Sequence, residues 1–181
     1  IVDELGGVNI CVDRAFDDYT YPAEGQEENP VYDKRFEHLH FETGCQTMNG
    51  TLALKYARSR HAYGPEGTDF ARAARQQKAI AAIKDKALSR ETLFSPKKIL
   101  NIISELSDHF HTNLSLVDMT KLWSLAKDIK QEDIATRVLD NSPAGLLMDS
   151  TGADGAYMLV PRAGNFSEIQ YLFNNIFQNA P

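Results

Sequence analysis

Arginines are concentrated in one short stretch of an otherwise acidic chain. Arg58-Ser59-Arg60 is followed after a short gap by the run from Asp69 to Gln77, which contains Arg72 and Arg75. The net charge of the chain is −6. A guanidinium group keeps its charge and donates paired hydrogen bonds, so arginine is the side chain best suited to hold phosphate. The fold must therefore either leave these charges in solvent or gather them around an anion.

The positive charge is local rather than a property of the whole surface. Residues 1–51 hold eleven Asp or Glu against three Lys or Arg, a net charge of −8. Residues 58–90 hold eight Lys or Arg against three acidic residues, a net charge of +5. Broad nucleic-acid binding needs a basic face that shows in the overall charge of a domain. The charge distribution therefore disfavours nucleic acid as a partner and favours a small, concentrated anion.

Length and composition indicate one folded domain. The 181 residues are 43% hydrophobic and 24% charged, which is enough apolar material for a sizeable core. No apolar run approaches the roughly eighteen residues of a membrane span. The first residue is Ile1 rather than Met and it leads directly into a predicted strand. We therefore expect the sequence to be a piece of a longer protein.

Two cysteines, Cys11 and Cys45, leave two interpretations open. They could form a disulfide if the protein is extracellular, or they could be two free thiols. Metal binding by this pair is disfavoured because no CxxC motif or nearby histidine spacing accompanies it.

Hydrophobic periodicity and capping residues predict alternating strands and helices. The predicted elements are a strand within Ile1–Val12, an acidic loop over Asp17–Asp33, a short strand at Phe36–Phe41, a turn at Gly44–Gly50, helices over 51–59, 69–88, 96–109 and 116–130, strands at Ile134–Leu139 and Tyr157–Pro161, and a terminal helix from Asn165. This pattern predicts an α/β fold, a layered α/β/α domain with a central mixed sheet and several packing helices. Few strands precede the helices, so we expect the domain to be truncated at its amino end.

Helix geometry divides the arginine cluster. Asp69, Arg72 and Gln76 lie on one stripe of the predicted helix, where Asp69 can hold the Arg72 guanidinium, and Arg75 lies beside that stripe. An adjoining face, which can pack on the sheet, is predicted to comprise Phe70, Ala73, Ala74, Gln77, Ile80 and Ala81. Arg58 and Arg60 share one side only if the chain unwinds near Ala57. The alternative stays open that all these charges are solvated helix ends and surface ion pairs.

Other candidate sites have equally plain alternatives. His38 and His40 alternate on a predicted strand and could bind a metal, or they could line a solvated strand face. Asp17-Asp18 and Glu27-Glu28 could bind a cation, or they could belong to a solvated acidic loop. No GxSxG, HExxH or Walker-type motif is present.

Three segments together resemble the LytR-CpsA-Psr family. They are Val2–Val8, Gly44–Gly50 with Ala53–Arg60, and Asp69–Gln77, and their order and spacing agree with the family over residues 1 to about 90. Residues 91–181 resemble only the later helices and strands of the domain in a general way. We therefore expect a single family-type domain over 1–181, with its motifs in 1–90 and the rest of its core in 91–181.

The resemblance implies an enzyme held at the outer face of the cytoplasmic membrane by an amino-terminal anchor absent from this sequence. Family members transfer anionic glycopolymers, such as teichoic acid or capsular polysaccharide, from an undecaprenyl-pyrophosphate carrier to peptidoglycan, with magnesium. Phosphoryl transfer depends mainly on positioning and electrostatic stabilisation, so arginines and a metal ion can carry it without a protein nucleophile.

The resemblance also assigns roles to residues. It implies pyrophosphate binding by Arg58, Arg60, Arg72, Arg75 and Gln76, and a catalytic group of Arg58, Arg60, Asp69 and Arg72, with Asp69 and Arg75 ordering the site. The magnesium-binding aspartates of the family lie in the amino-terminal part of the domain, so the metal ligands here stay unknown. We expect this chain alone to bind pyrophosphate weakly without turnover.

Two other functions compete with this one. The chain could be a non-catalytic module that binds polyprenyl phosphate or cell-wall polymer, or it could be a DNA-binding regulator. An apolar tunnel that opens at the arginines would favour the transferase and the binding module over the regulator. No recognition helix with exposed basic residues outside the cluster is visible, which disfavours the regulator.

Overall fold

The structure is a computed structural model that describes residues 1–109, 113–126, 128–130 and 133–178. These residues form two compact units, Ile1–Gln131 and Glu132–Pro181. The single domain expected over 1–181 stays a prediction.

The first unit carries four strands and five helices in its described residues. They are β1 (Val8–Val12), β2 (Phe16–Pro22), β3 (Phe36–Phe41), β4 (Gly44–Met48), α1 (Gly50–Arg58), α2 (Asp69–Ala87), α3 (Arg90–Leu93), α4 (Pro96–His109) and α5 (Leu116–Ala126). Short 3₁₀ turns lie at Tyr32–Arg35 and Gly64–Gly67. The second unit contains β5 (Leu147–Thr151), β6 (Tyr157–Pro161) and α6 (Ser167–Asn174). No helix in the described ranges is both long and apolar enough to cross a membrane.

The α/β class is confirmed, but the strands pair differently from the expected central mixed sheet. In the described residues β1 pairs with β4, β2 with β3 and β5 with β6, each pair antiparallel and two-stranded. Alternation along a strand identifies the strand but not its partner. Antiparallel strands need only a short connection, whereas parallel strands need a crossover of a dozen or more residues.

Three local predictions are wrong. Phe16–Pro22 is a strand rather than part of an acidic loop, and Gly44–Met48 is a strand rather than a turn. Ile134–Leu139 forms no strand; the first strand of the second unit is Leu147–Thr151. Aspartate and glycine have low strand propensity, but cross-strand pairing and burial override propensity in a sheet.

The core of the first unit lies between the two strand pairs and helices α1 and α2. Alternate residues of β1 are buried, and the rings of Phe16, Phe41 and Tyr56 pack together with centroid separations of 5.0 to 6.1 Å. The buried apolar residues are Leu5, Val8, Ile10, Val12, Phe16, Leu39, Phe41, Met48, Ala53, Tyr56, Ala62 and Ala79. Because α2 packs on β1 and α1, its position relative to the end of α1 is set by this core.

Helix α2 buries a different face from the predicted one. Arg75 and Ala79 are buried, Ala82 and Ile83 pack partly against the core, and Ile80 is 68% exposed. The small alanines of this helix give little contrast between its faces. The prediction that Ile80 packs on a sheet is therefore wrong, and a buried arginine takes the inward position instead.

Cys11 and Cys45 form a disulfide. They lie directly opposite each other in the antiparallel pair of β1 and β4. The bond joins two strands that are separated by 34 residues in sequence, so it closes the chain segment that contains β2 and β3. Of the two interpretations left open by the sequence, the bridged one is confirmed.

Candidate functional site

The end of helix α1 places two arginines on either side of a buried serine. The helix begins where the Asn49 side chain accepts a hydrogen bond from the Leu52 N–H at 2.8 Å, and it ends at Arg58. Ser59 then leaves the helical conformation, with φ −50° and ψ 132°. Arg58 and Arg60 are exposed, whereas Ser59 has no exposed surface. The unwinding that the spacing required therefore occurs, one residue later than expected.

Ser59 is held on three sides. Its hydroxyl donates to Asp18 Oδ2 at 2.6 Å, and its N–H donates to the Lys55 carbonyl at 3.0 Å. Its own carbonyl oxygen accepts a hydrogen bond from Arg75 Nη2 at 2.6 Å. Because alternate residues of an extended segment point to opposite sides, anchoring Ser59 inward turns its two arginine neighbours outward.

Asp18 supplies the buried negative charge of this anchor. Besides Ser59, the Asp18 carboxylate accepts hydrogen bonds from the N–H groups of Thr20 at 3.0 Å and His61 at 3.3 Å. Burial alone would raise the pKa of Asp18, but hydrogen bonds from Ser59 and from backbone N–H groups outweigh it and lower the pKa below the ordinary value. The carboxylate is therefore ionised at neutral pH and serves as a structural acceptor.

Arg75 is buried and engaged by the protein itself. Its Nε donates to the Tyr56 carbonyl at 3.0 Å, and Nη1 donates to the carbonyl and the carboxylate of Glu66 at 2.9 and 3.0 Å. The guanidinium also lies over the Phe16 ring, 4.8 Å from its centroid. Burial lowers the pKa of Arg75, partly offset by Glu66. Arg75 therefore ties α2 to the end of α1 through donors that contact protein acceptors. Its ordering role and its predicted part in pyrophosphate binding stay predictions.

The exposed Arg60 and the half-buried Arg72 share one carboxylate. Asp69 Oδ1 lies 3.1 Å from Arg72 Nη2 in α2 and 3.4 Å from Arg60 Nη2 after α1. Thr68 caps α2 by accepting a hydrogen bond from the Ala71 N–H at 3.1 Å, which places Asp69 in the first turn. Asp69 thus lies between two guanidinium groups, one from α2 and one from the segment that follows α1.

Four of the predicted residues line one cleft of about 860 Å³ in the first unit: Arg58, Arg60, Arg72 and Gln76. Arg75 and Asp69 are not among its lining residues. The rest of the lining is Asp3, Asp18, Tyr21, Pro22, Glu24, Glu27, Glu37, Gly50, Thr51, Leu54, Lys55 and His61. Most of these side chains are polar, so this cleft by itself is not the apolar tunnel that would favour the transferase and the binding module.

Three acidic residues that line this cleft, Asp3, Asp18 and Glu37, form hydrogen bonds or ion pairs within the protein. Glu37 pairs with Lys55 at 2.6 Å, and Asp3 Oδ1 accepts a hydrogen bond from the Gly50 N–H at 2.8 Å. On the other side the cleft is lined by the guanidinium groups of Arg58, Arg60 and Arg72, the last two of which share Asp69. The arrangement can therefore bind an anion at the ends of α1 and α2.

The sequence matches the LytR_cpsA_psr family over residues 1–175. The chain belongs to the LytR-CpsA-Psr family. Its motif residues Arg58, Arg60, Arg72 and Gln76 therefore come together in a member of the family they were taken to resemble.

Two curated LytR-CpsA-Psr relatives are longer than this chain. The cell wall biosynthesis protein LcpA of Corynebacterium glutamicum is 30% identical over 130 residues, which are 72% of this chain and 21% of LcpA. TagV of Bacillus subtilis, named a polyisoprenyl-teichoic acid–peptidoglycan teichoic acid transferase, is 24% identical over 170 residues, 94% of this chain and 38% of TagV. The chain thus spans well under half the length of either relative.

A solved structure has the same LytR-CpsA-Psr fold. The crystal structure of Bacillus subtilis TagV matches with a TM-score of 0.59 and 24% identity, over 99% of this chain and 60% of the TagV chain. At this level of identity the likeness establishes the fold alone.

The described residues of this cleft do not provide a set of carboxylate ligands for the magnesium ion that the LytR-CpsA-Psr resemblance implies. Both Asp18 oxygens and one Asp3 oxygen already accept hydrogen bonds. Among the residues that the structure describes, no three carboxylates of the cleft bring their oxygens together. We therefore assign no magnesium ligand among the described residues.

The contact between Asp18 and Ser59 that anchors the arginine pair was not identified from the sequence. A usable signal was present for Ser59. A small polar residue between two outward arginines must point inward, where its hydroxyl needs a partner. No sequence signal identifies that partner, because Asp18 lies 41 positions away in a segment that was taken for a solvated loop.

Proposed function

We propose that the protein transfers an anionic glycopolymer from a polyprenyl-pyrophosphate carrier to peptidoglycan and that the arginine side of the cleft binds the pyrophosphate. One observation supports this most directly: three arginines and a glutamine, from α2 and from the end of α1 with the residues that follow it, line one cleft. Their positions depend on the buried contacts of Ser59 with Asp18 and Arg75, which are hydrogen bonds within the protein. A site arranged in advance in this way loses little free energy to side-chain ordering when an anion binds.

The charges suit a diphosphate better than a single carboxylate. Arg60 and Arg72 share one nearby carboxylate, Asp69, so their combined charge is only partly neutralised. Phosphate oxygens accept paired hydrogen bonds from guanidinium groups, and a diphosphate offers enough oxygens for several arginines at once. Gln76, one turn after Arg72 on the same stripe, adds a neutral donor.

In the proposed reaction a hydroxyl oxygen of peptidoglycan attacks the phosphorus atom that bears the glycopolymer. A new phosphorus–oxygen bond forms, and the bond from that phosphorus to the bridging oxygen of the diphosphate breaks. The polyprenyl monophosphate leaves with the bridging oxygen, and the hydroxyl proton passes to solvent. Arg58, Arg60 and Arg72 stabilise the negative charge that develops on the phosphate oxygens, which is the main requirement of phosphoryl transfer.

The metal ion and the location proposed here belong to the parent protein, whereas the expected lack of turnover belongs to the 181-residue chain. Magnesium would add positive charge at the phosphates, its ligands remaining unassigned. The location proposed is the outer face of the cytoplasmic membrane, with an amino-terminal anchor. The 181-residue chain alone is proposed to bind pyrophosphate weakly and without turnover. Magnesium-dependent transfer by this chain alone would contradict that last point.

One observation favours the second candidate, a non-catalytic module that binds polyprenyl phosphate or cell-wall polymer. Asp18, the most buried carboxylate of the cleft, has both oxygens in hydrogen bonds and offers no free base. The two functions are separated by turnover, which the module would lack in the full-length parent as well. A DNA-binding regulator is less well supported, since the clustered arginines line a concave cleft instead of a projecting helix.

The proposal can be tested by titrating a short polyprenyl pyrophosphate into the full-length parent protein. Arg60→Ala and Arg72→Ala should each weaken binding by about tenfold or more, since hydrogen bonds to charged groups contribute about 1.5–3 kcal/mol. Arg14→Ala, which removes an exposed arginine outside the cleft, serves as the matched control. Unchanged affinity in Arg60→Ala would remove Arg60 from the site. An assay of glycopolymer transfer to peptidoglycan by the full-length parent then distinguishes the two functions, because a non-catalytic module would show no turnover.

A further inference from the structure

A cluster of two histidines and one carboxylate lies on the outward face of the β2–β3 pair. Asp17 lies directly opposite His40 in the antiparallel register, and His38 precedes His40 by two positions on the same face. Asp17 Oδ1 is 2.7 Å from His38 Nε2 and 2.8 Å from His40 Nδ1. One donor atom from each residue falls within 4.8 Å of the others. The side chains are between 35% and 46% exposed, so a cation can reach them from solvent.

We propose that Asp17, His38 and His40 bind one transition-metal cation, Zn²⁺ in the first instance, and that the metal joins strand β2 to strand β3. Two imidazoles and one carboxylate are a donor set suited to zinc, with a fourth position left for water. Magnesium and calcium prefer oxygen ligands, so this site is not one for the hard cations.

Each histidine nitrogen needs only a small movement relative to the Asp17 oxygen to bind a metal. Zinc bonds of about 2.0–2.1 Å in tetrahedral geometry place neighbouring ligand atoms about 3.3 Å apart. The two nitrogen–oxygen pairs at 2.7 and 2.8 Å would therefore open by about half an ångström. The protons that now lie between Asp17 and the two rings are those that a metal ion would displace.

Neighbouring groups hold both rings in the required orientation. Glu42 Oε1 lies 3.0 Å from His40 Nε2, so this ring nitrogen keeps its proton toward Glu42 while Nδ1 faces the proposed metal. Such a contact from a carboxylate to a metal-binding histidine is the usual second partner in zinc sites. The Tyr19 ring stacks on His38 with centroids 4.1 Å apart and planes 5° apart.

The cluster is separate from the anion cleft although it adjoins it in sequence. Asp17 and Asp18 are consecutive in β2 and point to opposite faces, so Asp18 bonds Ser59 while Asp17 contacts the two histidines. Metal binding would therefore brace the strand that carries Asp18 without removing a ligand-binding group of the cleft. The role inferred is structural, and the readouts are affinity and thermal stability.

The test is isothermal titration of ZnCl₂ into the metal-free 181-residue chain in a non-coordinating buffer. We expect one zinc per chain and a rise in the thermal unfolding temperature with zinc. His38→Ala and His40→Ala should each weaken binding at least tenfold and abolish the stabilisation. Far-UV circular dichroism of each variant establishes that it is folded, and Asp17→Asn removes the charged ligand while keeping its shape.

His61→Ala is the matched control, because its ring lies outside the cluster, and it should bind zinc as the unaltered chain does. Absence of zinc binding would overturn the proposal. The same holds if the folded His38→Ala and His40→Ala variants bind zinc as tightly as the unaltered chain does. Displacement of zinc by a moderate excess of Mg²⁺ would also overturn it, since that would indicate an oxygen-ligand site. Co²⁺ gives an independent readout, as its visible absorption should appear in the unaltered chain and be lost in His40→Ala.

Discussion

Arg75 Nη2 donates a hydrogen bond to the carbonyl oxygen of Ser59 at 2.6 Å, and both residues are buried. This contact joins the middle of α2 to the first residue after α1. The two helices that supply the cleft arginines are therefore connected through an arginine that itself lies outside the cleft lining. Within the motif, exposed arginines face a potential ligand and the buried one determines where they are.

Replacing Arg75 by Met should destabilise the chain by about 3–5 kcal/mol, because it leaves the Glu66 carboxylate and several buried carbonyls without their donor. The measurement is urea unfolding. Arg58→Met, which removes an exposed arginine of the same motif, is the control and should change the free energy of unfolding by about 0.5 kcal/mol at most. Equal losses in the two variants would show that the Arg75 contacts contribute little.

Asp18→Asn should lower stability at neutral pH by about 1–3 kcal/mol, since a buried charged acceptor is lost. The pKa of Asp18 is lowered in the folded state, so its contribution is present above the unfolded pKa of about 3.8 and is lost as pH falls through the folded value. Urea unfolding at several pH values should therefore show the gap between the two proteins narrowing below about pH 4. A gap that stays constant down to pH 2 would contradict this.

Reduction of the Cys11–Cys45 disulfide should lower the free energy of unfolding by about 3–4 kcal/mol, the chain-entropy value for a loop of this length. The measurement is denaturant unfolding with and without dithiothreitol. The double variant Cys11→Ser, Cys45→Ser should resemble the reduced protein and should not respond to the reductant. Identical midpoints for the oxidised and reduced chain would argue that the bond adds no stability.

Glu91→Gln should lower the thermal unfolding temperature at pH 7, because Glu91 Oε2 pairs with Lys86 at 2.6 Å and Oε1 with Lys98 at 2.7 Å. Hydrogen bonds from these lysines lower the pKa of Glu91 to about 2. Its contribution should be complete above the ordinary pKa of 4.5 and should disappear as pH falls toward 2.

The control for Glu91 is Glu28→Gln, which makes the same charge change on the exposed loop between β2 and β3. Calorimetry from pH 7 to pH 2 measures both variants. If Glu91→Gln and Glu28→Gln shift the unfolding temperature equally at pH 7, the bridge between Lys86 and Lys98 has no measurable effect. Added salt should also reduce the effect of Glu91→Gln, since exposed ion pairs are screened.

Local patterns predicted helices well. The Thr68 cap and the periodicity after it predict a helix over 69–88, and the observed helix is Asp69–Ala87. Side chains three or four positions apart share a helix face whatever the rest of the protein does. For that reason Arg72 and Gln76 were correctly expected on one stripe, and both line the cleft.

Strands and their partners were harder to predict. Phe16–Pro22 contains two aspartates and was expected to be a loop, yet it pairs with Phe36–Phe41. The segment alternates as a strand does, because Phe16 and Asp18 face inward and Asp17 faces outward. Asp18 takes an inward position because it is hydrogen-bonded to Ser59. A buried aspartate needs a partner that sequence alone does not name.

The sequence by itself indicated the family, the bounds of the longer helices, and the placement of Arg72 and Gln76 on one stripe of α2. Only the tertiary structure decided that Arg75 is buried, that Asp18 and Ser59 anchor the arginine pair, and that Asp17, His38 and His40 converge on the outer face. Helix geometry is set by neighbours within one or two turns, so a sequence displays it. The direction in which a charged side chain points depends on acceptors brought from distant positions by the packed core, and those acceptors exist only in the folded chain.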